Sequence, residues 1–146
     1  MIKILLHLLI GMNIQVETLC RACTDSDEVI TLDHAYHGHV ISLMGISPYK
    51  FNKAGTGPPP TTHVAPVPDV YRGVHRNDDP ANACADMGEV YAEDVAAICR
   101  DLQSRGLKPG CFIAESLQSC GGNILYHGSG FNTTFCTYLP HEYLIL

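Results

Sequence analysis

Charge is scarce in this chain of 146 residues: 16% are Asp, Glu, Lys or Arg and 46% are apolar, where soluble domains carry about 25% charged residues. A surface with so little charge is expected to be covered, by a second subunit or by further protein. Basic clusters are missing as well. The nine Lys and Arg residues are scattered and the net charge is -6, so no positive stripe exists to neutralise a phosphate backbone, which argues against a nucleic-acid partner. The apolar start, Met1 to Ile10, is interrupted by His7 and is followed by no small-residue cleavage site. It fails the pattern of a secretory signal and is too short to span a bilayer, so neither secretion nor a membrane is expected. The sequon Asn132-Thr133-Thr134 is a triplet common by chance. There is no internal repeat, and the length suits one domain with a core of its own.

A second metal-binding pair is also lacking. Of seven cysteines (Cys20, Cys23, Cys84, Cys99, Cys111, Cys120 and Cys136), only Cys20 and Cys23 form a CxxC. Zinc at such a pair needs another Cys or His pair at matching spacing. The odd count and irregular spacing do not make a secreted disulfide scaffold, so reduced and mostly buried thiols of an intracellular protein, mitochondrial or cytoplasmic, are expected. Val16, Leu19, Cys20 and Cys23 fall at i, i+3, i+4 and i+7, the apolar stripe of one helix. The triplet His34, His37 and His39 spreads across a loop, a poor spacing for ligands to converge on a metal.

What is present has an α/β rhythm. Asn13 to Thr24 reads as a helix, and Val29 to Leu32 as a short buried strand that ends in Asp33-His34-Ala35-Tyr36-His37-Gly38. A helix from His39 to Ile46 is expected to stop at Ser47-Pro48. From Lys53 to Asn82 prolines and glycines make the chain loop-like, with a short strand at His63 to Val67. Tyr91, Val95, Ile98 and Leu102 line one face of a helix between about Asp86 and Arg105, which Gly106 stops. Pro109-Gly110 is read as a turn into a second buried strand, Cys111 to Ala114, which ends in Glu115 to Gly122. Strands alternating with helices predict parallel pairing. Ligands of such sheets sit beyond the carboxyl ends of the strands, so Asp33 to Gly38 and Glu115 to Gly122 are the candidate functional segments.

Two sets of residues carry a resemblance. The segment Val29-Ile30-Thr31-Leu32-Asp33-His34-Ala35-Tyr36-His37-Gly38-His39 resembles the part of class III pyridoxal-phosphate (PLP) enzymes that bears the ring-stacking aromatic. Ile46-Ser47-Pro48-Tyr49-Lys50-Phe51, His63-Val64-Ala65-Pro66, Pro68-Asp69-Val70-Tyr71-Arg72-Gly73 and Phe112 to Gly122 resemble one branch of them. That branch is the ethanolamine-phosphate and phosphohydroxylysine phospho-lyases, also called alanine-glyoxylate aminotransferase 2-like. The likeness covers 13 to 124, leaving an apolar leader over 1 to 12 and a divergent tail over 125 to 146. It implies part of the large domain of a fold-type I enzyme, mostly parallel strands with flanking helices. Tyr36 would stack on the pyridine ring, and His37 and Gly38 would shape that shelf. Glu115 would help set the hydrogen bonds around the phenolic oxygen and the imine, and Gln118 would line the same pocket.

The departures from that pattern set the functional expectation. The lysines are Lys3, Lys50, Lys53 and Lys108, and none stands where the family carries its Schiff-base lysine, well beyond Gly122. Leu9-Ile10-Gly11-Met12 replaces the family's phosphate-gripping loop, and Cys120 replaces a second glutamate that manages α-carboxylates, which favours an amine-type substrate. The expectation is a truncated or alternatively spliced form, or an incomplete gene model. Its parent would eliminate phosphate from a phosphorylated amine, while this chain would be inactive without the lysine. The alternative is a non-catalytic fragment that dimerises with and perturbs a full-length subunit.

Overall fold

The computed structural model describes residues 11–82 and 85–125. The sequon at Asn132, most of the expected leader and all of the expected tail beyond Leu125 lie outside the described residues, as do Cys84 and Cys136.

Helix α1 (Gly11–Thr24) leads into strand β1 (Glu28–Leu32), whose last four residues are all buried. Two short helices, α2 (Ile41–Gly45) and α3 (Pro48–Ala54), separate it from strand β2 (Thr62–Ala65). A long helix, α4 (Met87–Ser104), leads to strand β3 (Pro109–Ile113). Last comes a small hairpin of β4 (Leu117–Gln118) and β5 (Ile124–Leu125).

The main sheet has the order β2-β1-β3, and both pairings are parallel. In register, Leu32 lies opposite Ala65 and Thr31 opposite Ile113. The chain crosses from β1 to β2 on one side, then returns past β1 to β3. Parallel crossovers share one hand, so two that run in opposite directions place their helices on opposite faces of the sheet. The core follows this rule. Ile30, Leu32, Ala65 and Phe112 pack with Tyr91, Ala92, Val95 and Cys99 of α4. Val29, Cys111 and Ile113 pack with Cys20 of α1 and with Leu43 and Ile46 at α2.

The parallel sheet with flanking helices is as expected, and so is the buried α4 face of Tyr91, Val95 and Leu102. Three local expectations are corrected. Pro48 opens a new helix where it was expected only to end one, because the first helical position needs no N–H donor and suits the fixed φ of proline. Pro109 and Gly110 are the first residues of β3, a strand-start position that proline tolerates. The β4–β5 hairpin was not anticipated.

The α1 stripe is rotated: Leu19 is 45% exposed and Cys23 is exposed, whereas Glu17, Cys20 and Thr24 are buried. Two interactions make the polar members tolerable inside: Arg21 donates to the Glu17 carboxylate at 2.9 Å, and the Thr24 hydroxyl donates to the Cys20 carbonyl at 2.8 Å. Among the described cysteines Cys20, Cys99 and Cys111 are buried, Cys23 and Cys120 are exposed, and all five are free thiols. Among the described residues no helix is long and apolar enough to cross a membrane, and no three His, Cys, Asp or Glu side chains gather to hold a metal.

Candidate functional site

The strand order reverses at β1, because β2 lies on one side of it and β3 on the other. The carboxyl ends of β1 and β3 therefore form the crevice where a ligand of such a sheet is expected. The chain leaves β1 through a tight turn. Asp33 still donates its amide to the Ala65 carbonyl at 2.8 Å, and His34 has φ 62°, its amide donating to its neighbour's carboxylate, Asp33 Oδ1, at 2.7 Å. This reversal brings Tyr36 back over the crevice, where its amide donates to Glu115 Oε1, beyond β3, at 2.8 Å. Residues 79 positions apart are thereby locked together across the switch point. Burial pushes the Glu115 carboxyl above its ordinary range, against the Tyr36 and Ser119 amides that pull it down.

The other expected residues support the same turn. His37 is 4% exposed; its amide donates to Ser47 Oγ at 2.9 Å and its ring Nε2 lies 3.0 Å from Thr31 Oγ1. Burial lowers its pKa to about 4, so the imidazole is neutral at physiological pH. Gly38 has φ 140°, a backbone region that side-chain-bearing residues avoid. Gln118 is fully buried, and its amide nitrogen donates to the Asp33 carbonyl at 2.9 Å. Gln118 Oε1 has no hydrogen-bond partner among the described residues. Gly121 presses on that oxygen: a Cβ there would lie 3.0 Å from Gln118 Oε1 and 3.1 Å from His34 Cβ.

The structure thus gathers Tyr36, Glu115 and Gln118 at one edge, whereas His37 faces inward as a support. The Tyr36 ring is half-buried and meets the Tyr49 ring edge-on, with centroids 5.8 Å apart. Lys50 Nζ lies 5.1 Å from the Tyr36 centroid.

Beside this edge opens a cavity of about 370 Å³, lined by Asp33, His34, Pro66, Asp69, Arg72 and Gly121 among others, and by none of the five residues singled out from sequence. Asp69 is buried, which opposes its charge, but the Tyr71 and Arg72 amides and the Arg72 guanidinium hold its carboxyl below the usual range. The Tyr91 hydroxyl pins the same loop: it lies 3.0 Å from the Asp69 carbonyl and 2.7 Å from the His75 carbonyl, with one hydrogen to give, and accepts the His75 amide at 3.1 Å. Sequence reading missed Asp69, Arg72, Tyr49 and Lys50 as site residues. The available signal was the polar Asp69–Arg72 pair directly after a strand end.

No family model matches the chain. Among curated proteins it is 48% identical over 118 residues to an alanine-glyoxylate aminotransferase 2-like protein of Drosophila melanogaster, which covers 80% of this chain. It is 43% identical over 115 residues to ethanolamine-phosphate phospho-lyase homolog 1 of Caenorhabditis elegans, covering 73% of this chain. The chain spans about a quarter of the length of both, 24% in each case. Among solved structures, a phospholyase from Arthrobacter in complex with phosphoethanolamine superposes with a TM-score of 0.71 at 22% identity, over 92% of this chain and 30% of that one. A PLP-bound mutant aminotransferase from Vibrio fluvialis gives 0.66 at 15%, over 90% and 28%. At those identities the solved structures establish the fold, and the curated relatives add the sequence kinship. The chain is therefore a partial homologue of the class III PLP-dependent aminotransferases, allied by sequence to their alanine-glyoxylate aminotransferase 2-like and ethanolamine-phosphate phospho-lyase members.

Proposed function

We propose that the chain presents a shelf for a pyridoxal ring at Tyr36, in a family that acts on phosphorylated amines, and that by itself it does not turn such amines over. The observation that carries the shelf is the hydrogen bond from the Tyr36 amide to Glu115, which fixes the backbone bearing an aromatic side chain at the switch point between β1 and β3. The donor set suits such a ring. Tyr36 offers a half-buried aromatic face, and Gln118 Oε1 is a buried acceptor still lacking a donor, as a ring hydroxyl would provide.

PLP, when bound, supplies an electron-withdrawing ring that stabilises charge developing beside an amine carbon. The chain's own residues bind and orient. Tyr36 carries the ring face, and Glu115 holds the Tyr36 backbone. His37 and Gly38 set the turn from beneath, and Gln118 offers its free oxygen to the ligand. The absence of turnover rests on the lysines. Lys3, Lys50, Lys53 and Lys108 are the only four, and none lies beyond Gly122, where the resemblance puts the family's reacting amine. None of the four lysines stands where the resemblance puts the amine that takes and returns the substrate proton.

Two measurements test this. Pyridoxal should perturb its absorption on binding the chain, and Tyr36→Ala should weaken that binding by about twofold to tenfold, the worth of one aromatic stack; equal binding by Tyr36→Ala sinks the shelf. Phosphate release from phosphoethanolamine with PLP present should stay at the background rate, and measurable turnover refutes the inactivity. A second reading, association with a full-length subunit, draws support from Ile41, Tyr71 and Val74, which are 92%, 77% and 67% exposed. It predicts that co-expression lowers the activity of the full-length enzyme.

A further inference from the structure

We propose that Lys50 and Lys53 on α3 form a receptor for a phosphate monoester dianion, directly beside Tyr36. The first ground is charge accounting. All five arginines pair with carboxylates: Arg21 with Glu17 and Asp27, Arg72 with Asp69, Arg76 with Asp78, Arg100 with Glu93, and Arg105 with Asp101. Acids outnumber bases by fifteen to nine, so partners are plentiful. Lys50 and Lys53 nevertheless have no ion-pair partner among the described residues, although they stand one helical turn apart, where like charges repel.

The second ground is convergence. Both ammonium groups gather on one ring, with Lys50 Nζ 5.8 Å and Lys53 Nζ 5.2 Å from the Tyr49 centroid. Lys53 also donates to the Tyr49 hydroxyl at 3.4 Å, and Lys50 reaches the Tyr36 ring at 5.1 Å. Aromatic faces attract a cation without cancelling its charge. Two positive charges carried on one tyrosine ring, each with hydrogens to donate, suit a ligand with two negative charges and several acceptor oxygens. A carboxylate would neutralise only one of them. The Arg72 cleft is the weaker anion site, because its guanidinium is already matched by Asp69.

The position of the receptor links it to the shelf, so the ligand assignment rests on the reading of Tyr36 given above. A phosphorylated amine, or the phosphate arm of a pyridoxal phosphate on Tyr36, carries the required group.

The test is equilibrium dialysis of the full chain against labelled inorganic phosphate at constant ionic strength. Saturable binding is expected, weakened at least about tenfold in the K50Q/K53Q double variant and retained in K50R/K53R, which keeps both charges. K108Q, at a lysine outside the cluster, should bind like the parent chain. Absence of saturable binding, or equal binding by K50Q/K53Q, or equal loss in K108Q, overturns the proposal. Competition by phosphoethanolamine supports a substrate phosphate and competition by pyridoxal phosphate a cofactor phosphate; ethanolamine and pyridoxal competing equally well would refute both. Pyridoxal binding separates the two readings. If it fails while phosphate binds, the shelf falls and the receptor stands; if it survives while phosphate does not bind, the receptor falls alone.

Discussion

The two faces of the β2-β1-β3 sheet are built from different materials. Against α4, Ile30, Leu32, Ala65, Val70, Val95 and Phe112 form an apolar layer that also holds the Tyr91 hydroxyl, with the part-buried Glu28–His63 pair on the same side of the strands. On the other face Val29, Cys111, Ile113, Leu43 and Ile46 share the interior with buried polar groups, among them Thr31, His37 and Ser47. Strand alternation puts Ile30 and Leu32 on the first face and Val29 and Thr31 on the second. Apolar burial stabilises without direction, whereas hydrogen bonds contribute little net energy but fix geometry. The α4 face therefore holds the fold, and the opposite face holds the turn that carries Tyr36.

The largest test of that division lies on β3, where adjacent residues face opposite ways. Phe112→Ala should cost about 3–5 kcal/mol, the usual loss for an aromatic deleted from a packed core, since Phe112 is 1% exposed among Ile30, Leu32 and the α4 residues. Cys111→Ala should cost only about 1 kcal/mol, close to the loss of one methylene-sized group. Urea unfolding followed by circular dichroism gives both numbers. Equal costs would mean that the two faces share the stabilising role.

The first of these faces was legible in the sequence and the second was not. Tyr91, Val95 and Leu102 at helical spacing and the apolar runs of β1 and β3 declare their burial, because one period repeats over enough residues. On α1 the same reasoning misplaced Leu19 and Cys23, because Arg21 neutralises Glu17 and lets a charged residue turn inward. Proline at 48 carries two opposite meanings, stop and start, and only the structure shows the second. The two strand ends were recognisable from their polar and glycine-rich composition. That Tyr36 and Glu115 meet, or that Lys50 lies over Tyr36, depends on the order of strands in the sheet and on how α3 packs, which no local pattern encodes.

Acid should strain the polar face through His37. The unfolded imidazole of His37 takes up a proton near pH 6.5, but burial holds the folded one neutral down to about 4. The depressed folded value means that the contribution is complete above pH 6.5 and is lost progressively as the pH falls toward 4, where it levels off. Spread over that window the loss is roughly 3 kcal/mol, from about 1.4 kcal/mol per pK unit. Comparing unfolding free energies of the parent chain and His37→Gln at pH 7 and pH 4.5 isolates this group. An identical pH dependence in the two would show that His37 is not the responsible residue.

A modest change in stability at Ser47 is the most informative for the site. Ser47 is fully buried; its hydroxyl donates to the Leu43 carbonyl at 2.6 Å and accepts the His37 amide at 2.9 Å. Ser47→Ala removes both of these hydrogen bonds, at a cost of about 1–3 kcal/mol, while all the apolar contacts of the α4 face remain. If the polar face exists to hold the Tyr36 turn, pyridoxal binding to Ser47→Ala should fall under conditions where circular dichroism still shows a folded chain. Phe112→Ala should instead lose binding only in proportion to the unfolded fraction. Should Ser47→Ala bind pyridoxal as the parent does, the turn is held by the Tyr36–Glu115 bond alone, and the polar groups beneath it serve only to satisfy one another.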